Sequence, residues 1–383
     1  MTEKIYYTNS YKKRFTARVV SCEEKKGHWE IILNRTAFYP EGGGQPCDIG
    51  VLNCANVTDV QERGNEIVHT VDKPVPVGSE VMGGVNWDRR FRLMQQHSGE
   101  HIVSGIADRL YGADNVGFHM GEKCLTVDWN VAIGESGLKR IERMANEAVY
   151  QNLPIHAEFL PQEELEHISY RSKKALTGAV RIVTIPGYDV CACCGTHVAF
   201  TGEIGAIKIL GSQNYKGGTR ITMACGAQAM DDYAEKQESV AAISAFLSAK
   251  PEEVAAAVDR MKREEDDLKH RLTEARGMLL KMKVAAVPEN CGSICEFEDD
   301  LEPDDLRRYA LLLAERCGGT AAVFSGTGEK YRYAVANDWK DVRPEGKKLN
   351  AAFSGRGGGS KELIQGTVSG AREDIRHFFA SVR

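Results

Sequence analysis

Three features of the chain predict an α+β, multidomain protein. Short runs of β-branched and aromatic residues, bounded by Gly, Pro and charges, fill the first 87 residues, and from 88 to 230 such strands alternate with apolar runs of helical spacing. A sustained apolar stripe then gives way, after about residue 284, to a further helix–strand alternation. At 383 residues the chain exceeds what one hydrophobic core holds, so four parts are expected at 1–87, 88–230, 231–283 and 284–383.

The first part predicts a small β-barrel or sandwich, with strands at 16–22, 28–33 and 66–71. Between the second and third lies Phe38-Tyr39-Pro40-Glu41-Gly42-Gly43-Gly44-Gln45-Pro46. It reads either as an ordinary turn or as a loop whose bare backbone lets a ligand approach closely.

In the second part, residues 88–110 repeat apolar side chains at helical spacing and carry His97 and His101. One helical turn apart, they have Cβ atoms about 5–6 Å from each other, so both imidazoles can reach one metal ion. Tetrahedral zinc takes four ligands, and Cys193 and His197 are the best candidates for the other two. With 10 His and 11 Cys, random placement yields both an H-x3-H and a C-x3-H pair in roughly one chain in fifteen. A strand at 123–129, an amphipathic helix at 136–152 and strands at 155–160, 179–185 and 206–210 complete the unit. The run Cys191-Ala192-Cys193-Cys194-Gly195-Thr196-His197 falls between the last two strands, on a loop that can fold over the His97 helix. A redox pair from Cys191 and Cys194 is a weaker reading, because the segment does not open a helix, and a structural zinc using either of them stays open.

The third part keeps a 4-3 spacing through Val254, Val258, Met261, Glu265, Leu268, Leu272, Ala275, Leu279 and Met282, a coiled-coil seam expected to meet the preceding helix or a second subunit. The fourth predicts an α/β module, with a helix at 304–317 and strands at 320–325 and 331–336. Its glycine-rich run Gly355-Arg356-Gly357-Gly358-Gly359-Ser360-Lys361 predicts exposed amides at a helix start that bind an anion, helped by Arg356 and Lys361. The order of a Walker A loop is missing, so ATP binding is not expected.

Residues 1–7 show no apolar core before a cleavage site, no run of eighteen uncharged apolar residues occurs, and the eleven cysteines lack a disulfide-like spacing. A cytoplasmic protein without a membrane partner is expected. The net charge of −5 does not advertise a nucleic-acid binder, yet residues from 301 onward carry a local net of +3.

Taken together, the Phe38–Gln45 run, His97-x3-His101, Cys193-x3-His197 and Thr201-Gly202-Glu203-Ile204-Gly205 resemble the editing domain of alanyl-tRNA synthetase and its freestanding AlaX relatives. The Gly355-to-Gly366 run is similar to the DHHA1 domain that follows a helical spacer in the synthetase and in long AlaX forms. The resemblance implies a trans-editing hydrolase that deacylates Ser-tRNA(Ala) while sparing Ala-tRNA(Ala), and leaves the deacylation of Gly-tRNA(Ala) open. It implies one Zn2+ per chain on His97, His101, Cys193 and His197, and a pocket lined by Gly42, Gly43, Gly44 and Gln45. Thr36 stands where the family recognises the serine hydroxyl, Arg181 is a candidate for a terminal phosphate, and Arg356, Gly357, Gly358, Gly359 and Lys361 for tRNA contact. The chain opens directly on the β module, so action in trans is expected, with dimerisation through 251–282 and the carboxy-terminal domain. One departure stands out: synthetases commonly show Cys-Gly-Gly-Thr-His, and here the first glycine is Cys194. The alternatives are a zinc-stabilised RNA-binding or assembly protein without esterase activity, and a zinc hydrolase acting on another nucleic-acid ester.

Overall fold

The computed structural model describes residues 1–25, 27–172 and 178–381, and they divide into two compact units, Met1–Ala242 and Ile243–Arg383. Both mix helices and sheets, as the sequence predicts.

After a short strand (Glu3–Lys4) and a single helical turn (Ile5–Thr8), the first unit forms six antiparallel strands, β1 (Arg14–Lys25), β2 (His28–Leu33), β3 (Gly50–Leu52), β4 (Ala55–Arg63), β5 (Glu66–Val71) and β6 (Glu80–Val85). They close on themselves in the order β1-β2-β5-β4-β3-β6. Alternation along β1 buries Phe15, Ala17 and Val19 inside the ring, with Ile31, Leu33, Leu52, Val60, Ile67 and Val81 from its neighbours. The Gly42–Gln45 segment makes a two-residue hairpin turn: Gly43 and Gly44 both have positive φ, and Gly42 and Gln45 exchange backbone hydrogen bonds. Glycine is required at 44, where a Cβ would meet Phe118 Cδ1 at 2.6 Å.

Helix α1 (Trp87–Tyr111) follows. Asn86 caps it by accepting the Arg89 amide, and Gly112, left-handed at φ 60°, ends it. Arg90, fully buried, pins α1 to the ring: it pairs with Asp48 and donates to the carbonyls of Ala37 and Ser10. The helix packs on α2 (Glu135–Gln151) and on a sheet of β7 (Asn115–Met120), β8 (Leu125–Trp129), β12 (Ile207–Tyr215) and β13 (Gly218–Cys225), ordered β12-β13-β8-β7. A separate antiparallel sheet holds β9 (His156–Leu160), β10 (Val180–Ile185) and β11 (Asp189–Ala192), with β10 in the centre. Strand β11 was not anticipated from the sequence; it delivers the cysteine-rich loop. Helix α3 (Ala227–Leu247) runs across the division between the units.

In the second unit, α4 (Val254–Ala285) is the long helix that the 4-3 stripe predicts. Its stripe faces solvent, with Leu268 61% and Met282 70% exposed, whereas Gly277 and Leu280 are buried and Leu280 packs with α5 (Pro303–Cys317). A five-stranded sheet, β14 (Ile294–Glu298), β15 (Ala321–Ser325), β16 (Lys330–Ala336), β17 (Arg356–Gly359) and β18 (Leu363–Ser369), is ordered β14-β15-β16-β18-β17. Here the structure corrects the sequence reading: the glycine-rich run is the edge hairpin β17–β18, with Gly357 opposite Gly366, and no helix starts there. Close approach accounts for Gly357, Gly359 and Gly366 but not for Gly358: a Cβ on Gly357 would meet the Gln365 carbonyl at 2.3 Å and the Tyr333 hydroxyl at 2.6 Å, whereas one on Gly358 would meet nothing within 4 Å. No helix among the described residues is long and apolar enough to cross a membrane.

Candidate metal centre

His97 and His101 lie on the buried face of α1, and the loop after β11 brings Cys193 and His197 to them. The four ligand atoms lie within 4.8 Å of one another. Cys193 Sγ is 3.3 Å from His97 Nε2 and 3.5 Å from His197 Nε2. Around a tetrahedral ion with bonds of about 2.1 Å, ligand atoms stand about 3.4 Å apart, so the donor set of three nitrogens and one sulfur fits such an ion.

Each imidazole is held from behind through Nδ1. His97 Nδ1 donates to Gln45 Oε1 at 2.9 Å, and the same oxygen accepts the Thr196 amide, which fixes the direction of the bond. His101 Nδ1 lies 2.7 Å from Asp189 Oδ2, and His197 Nδ1 3.3 Å from Ser98 Oγ. With Nδ1 engaged, Nε2 is left to face the common point, the arrangement in which an outer partner sets both tautomer and ring orientation of a ligating histidine. Asp189 is itself anchored by Arg171, whose Nε and Nη2 approach it at 2.7 and 2.8 Å.

The electrostatics agree with the geometry. Burial alone would raise the Cys193 thiol, but the imidazoles of His97, His101 and His197 overcome it and hold the group well below the ordinary thiol range. Burial works against the charged form of His101 too, yet Cys193 and Asp189 together raise it. Asp189, though buried, is held below the usual carboxylate range by His101 and Arg171. Burial pushes Cys191 up to about 11, and Cys194 is exposed and outside the cluster. Cys193 is therefore the sulfur donor best suited to a cation; Cys191 could join only a smaller group with His101 and Asp189.

The loop geometry is demanding. A Cβ at Gly195 would meet His97 Cε1 at 2.1 Å, so only glycine lets this backbone cross the imidazole face. Arg181, 4% exposed, pins the same loop by donating from Nη1 to the carbonyls of Cys193 and Gly195 at 2.9 and 2.8 Å. Its Nε is buried without a hydrogen-bond partner.

Beside the cluster opens a cleft of about 1200 Å³, whose walls include Gly43, His97, Glu100, His101, Arg181 and Cys193. Gly44 completes the turn with Gly43, Gly42 and Gln45 flank it, and Gln45 is buried behind His97. Thr36 is fully buried as well, with its hydroxyl 2.9 Å from His69 Nε2 and accepting the Phe38 amide. In the second unit, Arg356, Gly357, Gly358, Gly359 and Lys361 are all exposed on the β17–β18 hairpin. The sequence reading missed Ser98, Glu100, Arg171 and Asp189. Ser98 and Glu100 stood inside the His97-x3-His101 motif, polar residues on what proves to be a buried face; nothing local marked Arg171 or Asp189.

Comparisons with known proteins follow the same lines. Residues 2–89 match the model of class II (A) tRNA synthetases, and residues 180–222 the threonyl and alanyl tRNA synthetase second additional domain. The alanine–tRNA ligase of Pyrococcus abyssi is 32% identical over 98% of this chain and 43% of its own length, and that of Pyrobaculum aerophilum 33% identical over 100% and 44%. The chain thus spans less than half the length of these relatives. Among solved structures, the C-Ala domain of Aquifex aeolicus alanyl-tRNA synthetase overlaps 24% of this chain and 98% of its own, at 19% identity and a TM-score of 0.21, a score from which no common fold follows. Matched along nearly its whole length, with Cys193 and His197 inside the 180–222 segment, the chain is a relative of the alanyl-tRNA synthetases.

Proposed function

We propose that this chain is an aminoacyl-tRNA deacylase that removes serine from alanine tRNA in trans, with a Zn2+ ion at its site. The observation that carries the reading is the convergence of three imidazole nitrogens and one thiolate, each histidine oriented through Nδ1, on the wall of a cleft. At about 1200 Å³ that cleft exceeds the roughly 300–1,000 Å³ of ordinary ligand sites, room enough for a terminal nucleoside and its ester. His97, His101, Cys193 and His197 would hold the ion, which would supply Lewis acidity for ester hydrolysis. The rest of the task falls to the protein: Gln45, Ser98 and Asp189 keep the imidazoles aimed, Arg181 and Gly195 seat the ligand loop, and the Gly43 backbone borders the substrate.

The need for such a hydrolase is physical. A synthetic pocket sized for alanine cannot strongly reject glycine or a side chain that adds only a hydroxyl, and discriminates by about 10²-fold. A second sieve must demand what alanine lacks. In this reading Thr36 underlies the choice of serine by fixing the 38–45 segment, because its own hydroxyl is already engaged by His69 and the Phe38 amide. The exposed basic residues of the β17–β18 hairpin, Arg356 and Lys361, are assigned to the tRNA backbone, and the solvent-facing stripe of α4 to pairing with a second copy.

The deciding experiment measures serine release from serine-charged alanine tRNA by the isolated chain, with alanine-charged tRNA, a metal-stripped sample and His101→Ala in parallel. Metal-dependent loss of serine but not alanine, absent in the variant, supports the reading. Loss from neither ester moves the weight to a zinc-stabilised RNA-binding protein.

A further inference from the structure

One buried carboxylate in the cleft has no part in holding the cluster. His97, Glu100, His101 and Ser104 stand at i, i+3, i+4 and i+7 on α1, one stripe of the helix, and Glu100 lines the cleft with both histidines. It is 4% exposed. Its Oε1 accepts from Ser104 Oγ at 2.5 Å and from Asn115 Nδ2 at 2.6 Å, and Trp129 Nε1 lies 3.5 Å behind the serine hydroxyl. Both donors are neutral. Among the described residues no lysine or arginine pairs with Glu100, Oε2 takes no hydrogen bond, and the nearby Arg171 is committed to Asp189.

A carboxylate withdrawn from water without a cation is costly, and the two neutral bonds fix its position without neutralising it. A partner that can pair directly with it is present in an aminoacyl ester, whose α-ammonium group sits two bonds from the ester carbonyl carbon. We propose that Glu100 binds the α-ammonium group of the aminoacyl ester, so that the site takes esters with a free amine and rejects N-acylated or peptidyl ones. The proposal rests on the deacylase reading and deepens it. It is separate from the choice between serine and alanine, which share the ammonium, and it places the reacting ester between Glu100 and the His97–His101 pair by its two ends.

The test uses two non-hydrolysable probes, adenosine carrying serine through a 3′-amide and the same compound N-acetylated on serine. Their binding to the metal-loaded full chain is measured by calorimetry, alongside hydrolysis of seryl- and N-acetylseryl-tRNA. A charge-assisted hydrogen bond in a desolvated site predicts that the wild-type chain prefers the free amine by about 10- to 100-fold. Glu100→Gln keeps an oxygen for Ser104 and Asn115, and should lose most of that preference while holding the acetylated probe as the wild type does. Equal binding of the two probes by the wild type, a comparison needing no variant, overturns the proposal, as does a Glu100→Gln chain of unchanged melting temperature that keeps the preference. If the wild type releases serine but treats the N-acetylated ester alike, only the role of Glu100 fails. If it binds neither probe and cleaves neither ester, the deacylase reading fails and takes this inference with it.

Discussion

Replacing Asp189 with asparagine preserves shape and removes one charge from behind the cluster. In the native chain its carboxylate accepts from His101 Nδ1 at 2.7 Å and from two nitrogens of Arg171, with the Asp189 side chain 1% and that of Arg171 20% exposed. An amide has one acceptor oxygen for these two demands, so either His101 or Arg171 then faces an N–H group. Loss of an outer partner of a ligating histidine lowers metal affinity about 10- to 100-fold, or about 1.4–2.7 kcal/mol. Breaking a fully buried ion pair costs about 3–5 kcal/mol, and with a fifth of Arg171 in water about 2–3 kcal/mol of folding stability is the reasonable expectation. Metal affinity is read by titration against a chelator of known strength, and stability by urea unfolding of the metal-free chain. If affinity is unchanged while stability falls, Asp189 serves Arg171 alone and the argument from the Nδ1 bonds is wrong.

Three further outcomes are expected. Thr36→Val removes the acceptor for the Phe38 amide while nearly keeping volume, so serine release should fall relative to release from alanine-charged tRNA with metal content intact; unchanged selectivity would remove Thr36 from the recognition scheme. Burial holds the His69 imidazole down to about 4 against an ordinary 6.5, so on acidification the unfolded chain takes up a proton through 6.5 that the folded chain refuses until about pH 4. Stability should therefore decline across that window by about 3 kcal/mol, and unfolding curves of His69→Gln should be flatter with pH. Arg356→Glu with Lys361→Glu should weaken tRNA binding and reduce its salt dependence by about two charges, leaving the single-turnover rate at saturation unchanged; equal affinity would detach the hairpin from tRNA.

The elements that were legible in the sequence are those whose signal is local. Periodicity and local end signals marked α1, α2, α4 and α5 to within a few residues, and the strands His28–Leu33 and Glu66–Val71 end where charges and glycines stop them. The glycine-rich run at 355–366 misled, because glycine lets a backbone approach a phosphate and another strand equally well, and only the neighbours tell which.

The sequence by itself singled out the candidate donors. Two histidines one turn apart on a helix, and a cysteine and histidine four apart on a loop, offer nitrogens and a sulfur that a metal ion can take once the fold brings them together. Tertiary structure decided which sulfur joins them, by burying Cys193 among three imidazoles and leaving Cys194 exposed. It also supplied the partners that aim each ring, Gln45 from 52 residues before His97 and Asp189 from 88 residues after His101. Such pairings arise from how strands and helices pack, and the sequence near either partner contains no trace of the other. For the same reason Glu100, a polar residue that a lone helix would turn to water, stands on a buried face beside the cleft.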